Sequence, residues 1–204
     1  MNHLKKLSIG TYQIQIGLNS VMNILKKNLE IDGVFLLTIP VHKDSRGFFT
    51  ESYNNEINEI LDTKTIWLQD NESISHKNVF RGLHFQKDSY AQSKLLRVSN
   101  GQILDIMIDL RKNSKTFKKY ITLKLDSRDK ILFIPRGIAH GFLSLIDNTI
   151  VNYKCDNLYY PNKESGVNPF KSNLDLNLNL DLKKIKISKK DKDFPSLDDS
   201  YIFD

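Results

Sequence analysis

Cysteine is nearly absent. Cys155 stands alone among 204 residues, so no disulfide can form within the chain, and a reducing, cytoplasmic setting is expected. Long apolar runs are missing as well. None approaches the roughly 18 residues a membrane span needs, so no membrane partner is expected. The opening "MNHLKKLSIGTYQIQIGLNSV" interrupts any apolar core with Thr11, Gln13 and Gln15, which makes a poor signal peptide. Helical periodicity is scarce, confined to "NNEINEILD" (54–62), where Ile57, Ile60 and Leu61 recur at helical spacing. Lys and Arg number 30 against 24 acids, a net charge of +6, yet no basic stripe interleaved with aromatic residues accompanies them. The densest lysine run, "DLKKIKISKKDKD", is broken by acids and reads as solvated surface. A nucleic-acid partner is therefore not expected, while an anionic ligand suits the surplus.

What remains is a chain of ordinary globular composition, 40% hydrophobic and 26% charged, long enough to bury one core. Met22 opens a second plausible start, so residues 1–21 read as an extension or a start-site artefact ahead of a single domain over 22–204. Short apolar or alternating runs follow one another: "VFLLTIP", "KLLRV", "ILDIMIDL", "YITLKL", "ILFIP", "GFLSLI" and "TIVNYK". Gly, Asn, Asp, Ser or Pro bounds each, which predicts an all-β sandwich or barrel, a double-sheet jelly roll among the options. The strict Leu/polar alternation of "NLDLNLNLDL" (173–182) fits a half-buried edge strand or a loosely packed surface segment, the strand being favoured.

Polar residues inside apolar strands are informative, because burying them unpaired is costly. "VFRGLHFQ" sets His84 between Leu83 and Phe85, three residues after Arg81, and "KLLRV" opens on Lys94. Arg46 and Glu51 flank a Gly-Phe-Phe turn, while Gln69 and Asn71 share a face if extended. His140, Tyr153 and Tyr159 complete a set that would suit an oxygen-rich anion if it converged in a barrel interior. The His-x-His pair that small β-barrels use to hold a metal is missing, since Gln86 stands two after His84 and His140 has no close histidine neighbour. No metal is expected.

The motifs "DSRGFFTESYN", "LQDNESIS", "FRGLHFQ", "AQSKLLRVSNGQILDIMIDLRKNSKTF", "FIPRGIAHGF", "YKCDNLYYPNKESGV" and "ISKKDKDFPSL" run in order over roughly residues 25–197. Together they resemble the dTDP-4-dehydrorhamnose 3,5-epimerase family. The resemblance implies a cupin-type double-stranded β-helix (jelly roll) with short flanking helices, a homodimer, and no cofactor. It also implies an activity in dTDP-L-rhamnose biosynthesis: epimerisation of a nucleotide-linked 4-keto sugar at C3 and C5 through an enolate. Such chemistry needs a base on one face, an acid on the other and positive charge at the oxyanion.

By resemblance His84 is the base, Asp191 its carboxylate partner, Tyr153 the acid and Lys94 the cation at the enolate oxygen. Arg46, Glu51, Gln69, Asp70, Asn71, Arg81, His140, Glu164 and Lys190 match nucleotide-sugar contacts, and Tyr159 matches the aromatic that stacks on thymine. Other readings are an epimerase acting at one carbon or on another nucleotide-linked sugar, and a non-catalytic nucleotide-sugar-binding cupin. The chain departs from the family pattern after Glu164, where "GVNPFKSNLDLNLNLDLKK" carries neither of the two tryptophans common there. Altered lid or dimer packing is the expected consequence.

Overall fold

A computed structural model of the chain describes residues 4–9, 12–17, 23–61, 64–126, 128–176 and 182–204. Strands dominate it. The first group is β1 (Leu4–Ile9), β2 (Tyr12–Gly17), β3 (Leu25–Asn28), β4 (Phe35–Thr38), β5 (His42–Asp44) and β6 (Gly47–Phe49). After the short helix α1 (Glu56–Ile60) come β7 (Gln69–Ser75), β8 (Val79–Gln86), β9 (Lys94–Asn100) and β10 (Ile103–Asp109). The chain continues through β11 (Tyr120–Leu125), β12 (Lys130–Ile134), β13 (Ile138–Ser144), β14 (Thr149–Cys155) and β15 (Glu164–Gly166). It closes with β16 (Lys186–Ile187) and α2 (Lys189–Asp193).

Two large sheets form the body. One runs β1-β2-β3-β4-β12-β9-β14-β7; the other runs β11-β10-β13-β8-β15, with β16 added in parallel beside β8. β5 and β6 form a separate hairpin. This is the jelly roll, one of the options that the spacing of short strands and turns leaves open, and the cupin type that the resemblance implies. Alternation along β10 shows why these residues make it. Ile103 and Met107 join Leu96, Leu132, Phe142 and Val151 between the sheets. Ile106 and Ile108 project to the opposite face and pack with Phe80, Leu83 and the C-terminal Tyr201 and Phe203. A third cluster seats Ile57 and Leu61 of the α1 region, with Trp67, against Leu95 and Phe133. Twelve of the largest side chains, Ile106 and Met107 among them, are less than 2% exposed. At about 1.5–3 kcal/mol for each large apolar side chain fully buried, these clusters dominate the favourable side of folding.

The one element that departs from expectation is the leucine-rich segment. Its residues 173–176 and 182 form no strand, and 177–181 lie outside the described residues. Leu174 and Leu176 nonetheless join the cluster behind the six-stranded sheet. Burial alone explains their spacing there, without a ladder of hydrogen bonds. Residues 1–21 include β1 and β2, which pair with each other, and β2 pairs with β3.

Candidate active site

The inner faces of the two sheets open onto a cavity of about 570 Å³. Arg81 and His84 reach it from β8, Lys94 from β9, His140 from β13 and Tyr153 from β14, with Lys190 and Asp191 closing it from α2. A smaller cavity of about 90 Å³ shares His84, Lys94 and Tyr153, and adds Gln69, Asn71, Tyr159 and Glu164. Eleven of the candidate residues thus line these two cavities, coming from six strands, a helix and a loop. His84 and Tyr153 belong to opposite sheets.

Local structure sets the His84 pair. β8 and β13 slip register between His140 and Phe142, opposite Arg81. Gly82 occupies this irregularity at φ +120°, where a Cβ would sit 2.7 Å from the Gly141 Cα. Its N–H donates to Asp191 Oδ2 at 3.1 Å. The other carboxylate oxygen lies 2.9 Å from His84 Nε2. Asp191 is itself positioned by the sequence "SKKD": Ser188 is the N-cap of α2, and its hydroxyl accepts the Asp191 N–H at 3.1 Å. Burial pushes the Asp191 carboxyl up, but its bonds to His84, Gly82 and Ser188 outweigh this and hold it below the usual range. An ionised Asp191 requires a proton on Nε2 and so leaves Nδ1 as the basic nitrogen of His84.

Lys94 is 9% exposed, and its Nζ lies 3.5 Å from the His84 carbonyl oxygen. Burial pushes this ammonium below its ordinary range, against the opposing influence of Cys155, Asp105 and Glu164. Burial raises the Tyr153 phenol, so the hydroxyl is protonated at neutral pH. His140 Nε2 meets Asp105 Oδ2 at 2.8 Å in a pair almost wholly excluded from solvent.

The outer end of the site is built from linked polar groups. Tyr159 Oη donates to Glu164 Oε2 at 2.6 Å, which raises the phenol to about 12. Lys190 Nζ reaches both Glu164 oxygens at 3.0 Å. Burial pushes the Glu164 carboxyl up, yet these two partners bring it below its usual value. The Tyr159 N–H donates to Gln69 Oε1 at 2.8 Å, and Gln69 Nε2 donates to Asn71 Oδ1 at the same distance. Arg81 is held by Ser75 Oγ at 3.0 Å and by the Ile74 carbonyl at 3.2 Å.

Three candidates lie elsewhere. Asp70, between Gln69 and Asn71 on β7, faces the other way, as strand alternation requires, and pairs with Lys154 at 2.7 Å. Arg46 sits in the β5–β6 turn, 88% exposed, bonded to Asp44 at 2.6 Å. Glu51 is exposed just beyond the same hairpin. Neither lines the cavity that holds His84. Two site residues escaped the reading of the sequence. Gln86 secures the Tyr159 loop by donating to Leu158 O at 2.9 Å and accepting from the Tyr160 N–H. Asp105 carried a usable signal, a charge inside the apolar run "ILDIMIDL". Among the described residues no three His, Cys, Asp or Glu side chains group as metal ligands, and no helix is long and apolar enough to cross a membrane.

Residues 28–199 match the model of a family described as dTDP-4-dehydrorhamnose 3,5-epimerase. Proteins of that name from Methanothermobacter thermautotrophicus and Escherichia coli K12 are similar to this chain. The first is 40% identical over 177 residues, 85% of this chain and 94% of the relative. The second is 44% identical over 148 residues, 72% of this chain and 79% of the relative. Among solved structures, the dTDP-4-dehydrorhamnose 3,5-epimerase of Bacillus anthracis, with TDP and PPi bound, superposes with a TM-score of 0.78 at 38% identity. That match covers 85% of this chain and 99% of the other.

Proposed function

Because the chain belongs to the dTDP-4-dehydrorhamnose 3,5-epimerase family, we propose that it inverts C3 and C5 of dTDP-4-dehydro-6-deoxy-D-glucose, a step toward dTDP-L-rhamnose. The observation that carries this reading is the placement of His84 and Tyr153 on opposite sheets around one cavity, with Lys94 beside them. A keto group at C4 acidifies the neighbouring C–H bonds. His84 Nδ1 takes the proton from one face, while the Asp191 carboxylate stabilises the imidazolium that forms. Lys94 stabilises the enolate oxygen. Tyr153 returns a proton from the other face, which inverts the centre.

In this reading Arg81 and Lys190 supply cations for the diphosphate, Arg81 as a planar fork. Tyr159 stacks on the thymine ring, while Gln69, Asn71, His140 and Glu164 hold polar groups of the ligand. Arg46 and Glu51 fall outside the cavity of their own chain, and the adjoining hairpin exposes Phe48 and Phe49 at 46% and 68%. A homodimer accounts for both facts, with the hairpin covered by a second copy and these two side chains serving there. Sedimentation at micromolar concentration tests this directly; a monomer would remove it.

The activity is tested in heavy water with no added metal. Incubation with dTDP-4-dehydro-6-deoxyglucose should place deuterium at both C3 and C5, read by NMR. Incorporation at one carbon would make the protein a single-site epimerase. None would leave a nucleotide-sugar-binding cupin without this chemistry.

A further inference from the structure

We infer that Gln86 is a positioning residue: its buried carboxamide fixes the backbone of Tyr159, so that the aromatic ring stands as a preformed platform for the base of the nucleotide. The inference rests on the epimerase reading of the cavity and deepens it. Gln86 stands two residues after His84 on β8, where a metal-binding barrel would carry its second histidine. It is 2% exposed, and both hydrogens of its amide are engaged. Nε2 donates to the Tyr90 carbonyl at 2.8 Å and to the Leu158 carbonyl at 2.9 Å, while Oε1 accepts the Tyr160 N–H. The two peptide groups that flank Tyr159 are thus held by one amide. Gln69 completes the hold from the other sheet, accepting the Tyr159 N–H at 2.8 Å. Glu164 is paired with Gln86 in the β15–β8 ladder and accepts the Tyr159 hydroxyl at 2.6 Å. One position on β8 therefore sets both ends of the tyrosine.

No other side chain of this length makes the same set of bonds. Glutamate would bring acceptors where two carbonyls need donors. Lysine would donate to the carbonyls but offer nothing to the Tyr160 N–H, and leucine would serve none of the three. Each change leaves buried backbone groups unpaired, which is costly. Tyr159 itself is 48% exposed. An exposed loop aromatic loses conformational freedom when a ligand stacks on it, and a loop already fixed in place avoids that loss at the moment of binding. The rest of the loop is tied independently. Gln92 Nε2 donates to the Asn157 carbonyl at 2.7 Å, and Asn157 Nδ2 donates to the Ser89 carbonyl at 3.1 Å. Loss of the Gln86 bonds should therefore loosen Tyr159 without freeing the whole loop. Gln86 has no amide hydrogen left for a ligand and acts through Tyr159, so its effect belongs to binding and not to proton transfer.

The test measures dTDP affinity by calorimetry in the wild type, Gln86→Leu, Tyr159→Leu and the double variant, with KM and kcat for exchange of the substrate's C3 and C5 protons. Gln86→Leu should weaken dTDP binding on the order of tenfold, the scale of one base stacked on an aromatic ring. KM should rise by a similar factor and exceed any change in kcat. In the Tyr159→Leu background the same substitution should add little, because the residue through which it acts is gone. Unchanged dTDP affinity in Gln86→Leu, full additivity of the two losses, or a defect confined to kcat would each overturn the inference. Should Gln86→Leu fail to fold, amide hydrogen exchange in the ligand-free wild type still decides. The Tyr160 N–H must be protected before any ligand binds, and exchange there at the rate of an open amide overturns the assignment. Wild-type protein that neither binds dTDP nor exchanges either proton would instead fail the epimerase reading, and the Tyr160 result would stand apart from it.

Discussion

Two histidines lie directly opposite each other where β8 pairs with β13, and each is bonded through Nε2 to an aspartate, at 2.9 Å for His84 and 2.8 Å for His140. Their surroundings differ. The His84 side chain is 29% exposed and opens onto the cavity, whereas that of His140 is 6% exposed. The aspartates move in opposite directions. Burial pushes both up; three hydrogen-bonding partners reverse this for Asp191, while His140 and the charge of Lys94 do not for Asp105. The same pair of residue types therefore serves two ends. The open pair can exchange a proton with a bound molecule, whereas the closed pair is a hydrogen bond locked inside the barrel, where burial disfavours charge on both partners.

Removing each histidine should separate those roles. We predict that His84→Ala lowers exchange of the substrate's C3 and C5 protons by on the order of 10²–10⁴-fold, the usual reach of a general base, with little change in the urea midpoint. Rapid exchange in that variant would strip His84 of the role. His140→Ala should show its main effect on the fold. It leaves Asp105 buried without its donor, and unfolding free energy should fall by about 3–5 kcal/mol. A wild-type urea midpoint for His140→Ala would erase the contrast.

The smallest expected effect is on the pH dependence of stability, and its sign sharpens the comparison. Asp191 titrates below its ordinary 3.8, so its contribution is present above that value and lost as pH falls through the depressed one. The advantage of wild type over Asp191→Asn should therefore shrink in acid. Asp105 titrates above 3.8, so its contribution is greatest below that value and declines as pH rises through the raised one. The difference between wild type and Asp105→Asn should accordingly move the opposite way. Urea unfolding across the acid-to-neutral range measures both, and parallel trends would contradict the assignment of opposite environments.

Much of this site was legible before any coordinates. His84, Arg81 and Lys94 stand out because a polar side chain in an apolar strand needs a reason to be there. Asp105 offers the same signal in "ILDIMIDL", within a motif that carries the resemblance, yet no role was assigned to it. Asp70 shows a limit of motif matching, since adjacent strand residues face opposite ways: Gln69 and Asn71 line the cavity with His84, while Asp70 pairs with Lys154. The leucine-rich segment shows another. Alternating leucines require an apolar surface to pack on, and Leu174 and Leu176 find one without joining a sheet.

By itself, the sequence determined the short-strand architecture, the residue types available for proton transfer, and the local cap that sets Asp191 at the start of α2. These follow from periodicity, turn chemistry and hydrogen bonds between near neighbours. Only the tertiary structure decided which charges meet. His84 and Asp191 are 107 residues apart and His140 and Asp105 are 35 apart, and nothing local couples either pair. Their contacts depend on sheet order and register, which arise when distant strands bury their apolar faces together. That same packing excludes solvent around Asp105 and Lys94, and burial shifts the titration of each in a way that no reading along the chain could assign.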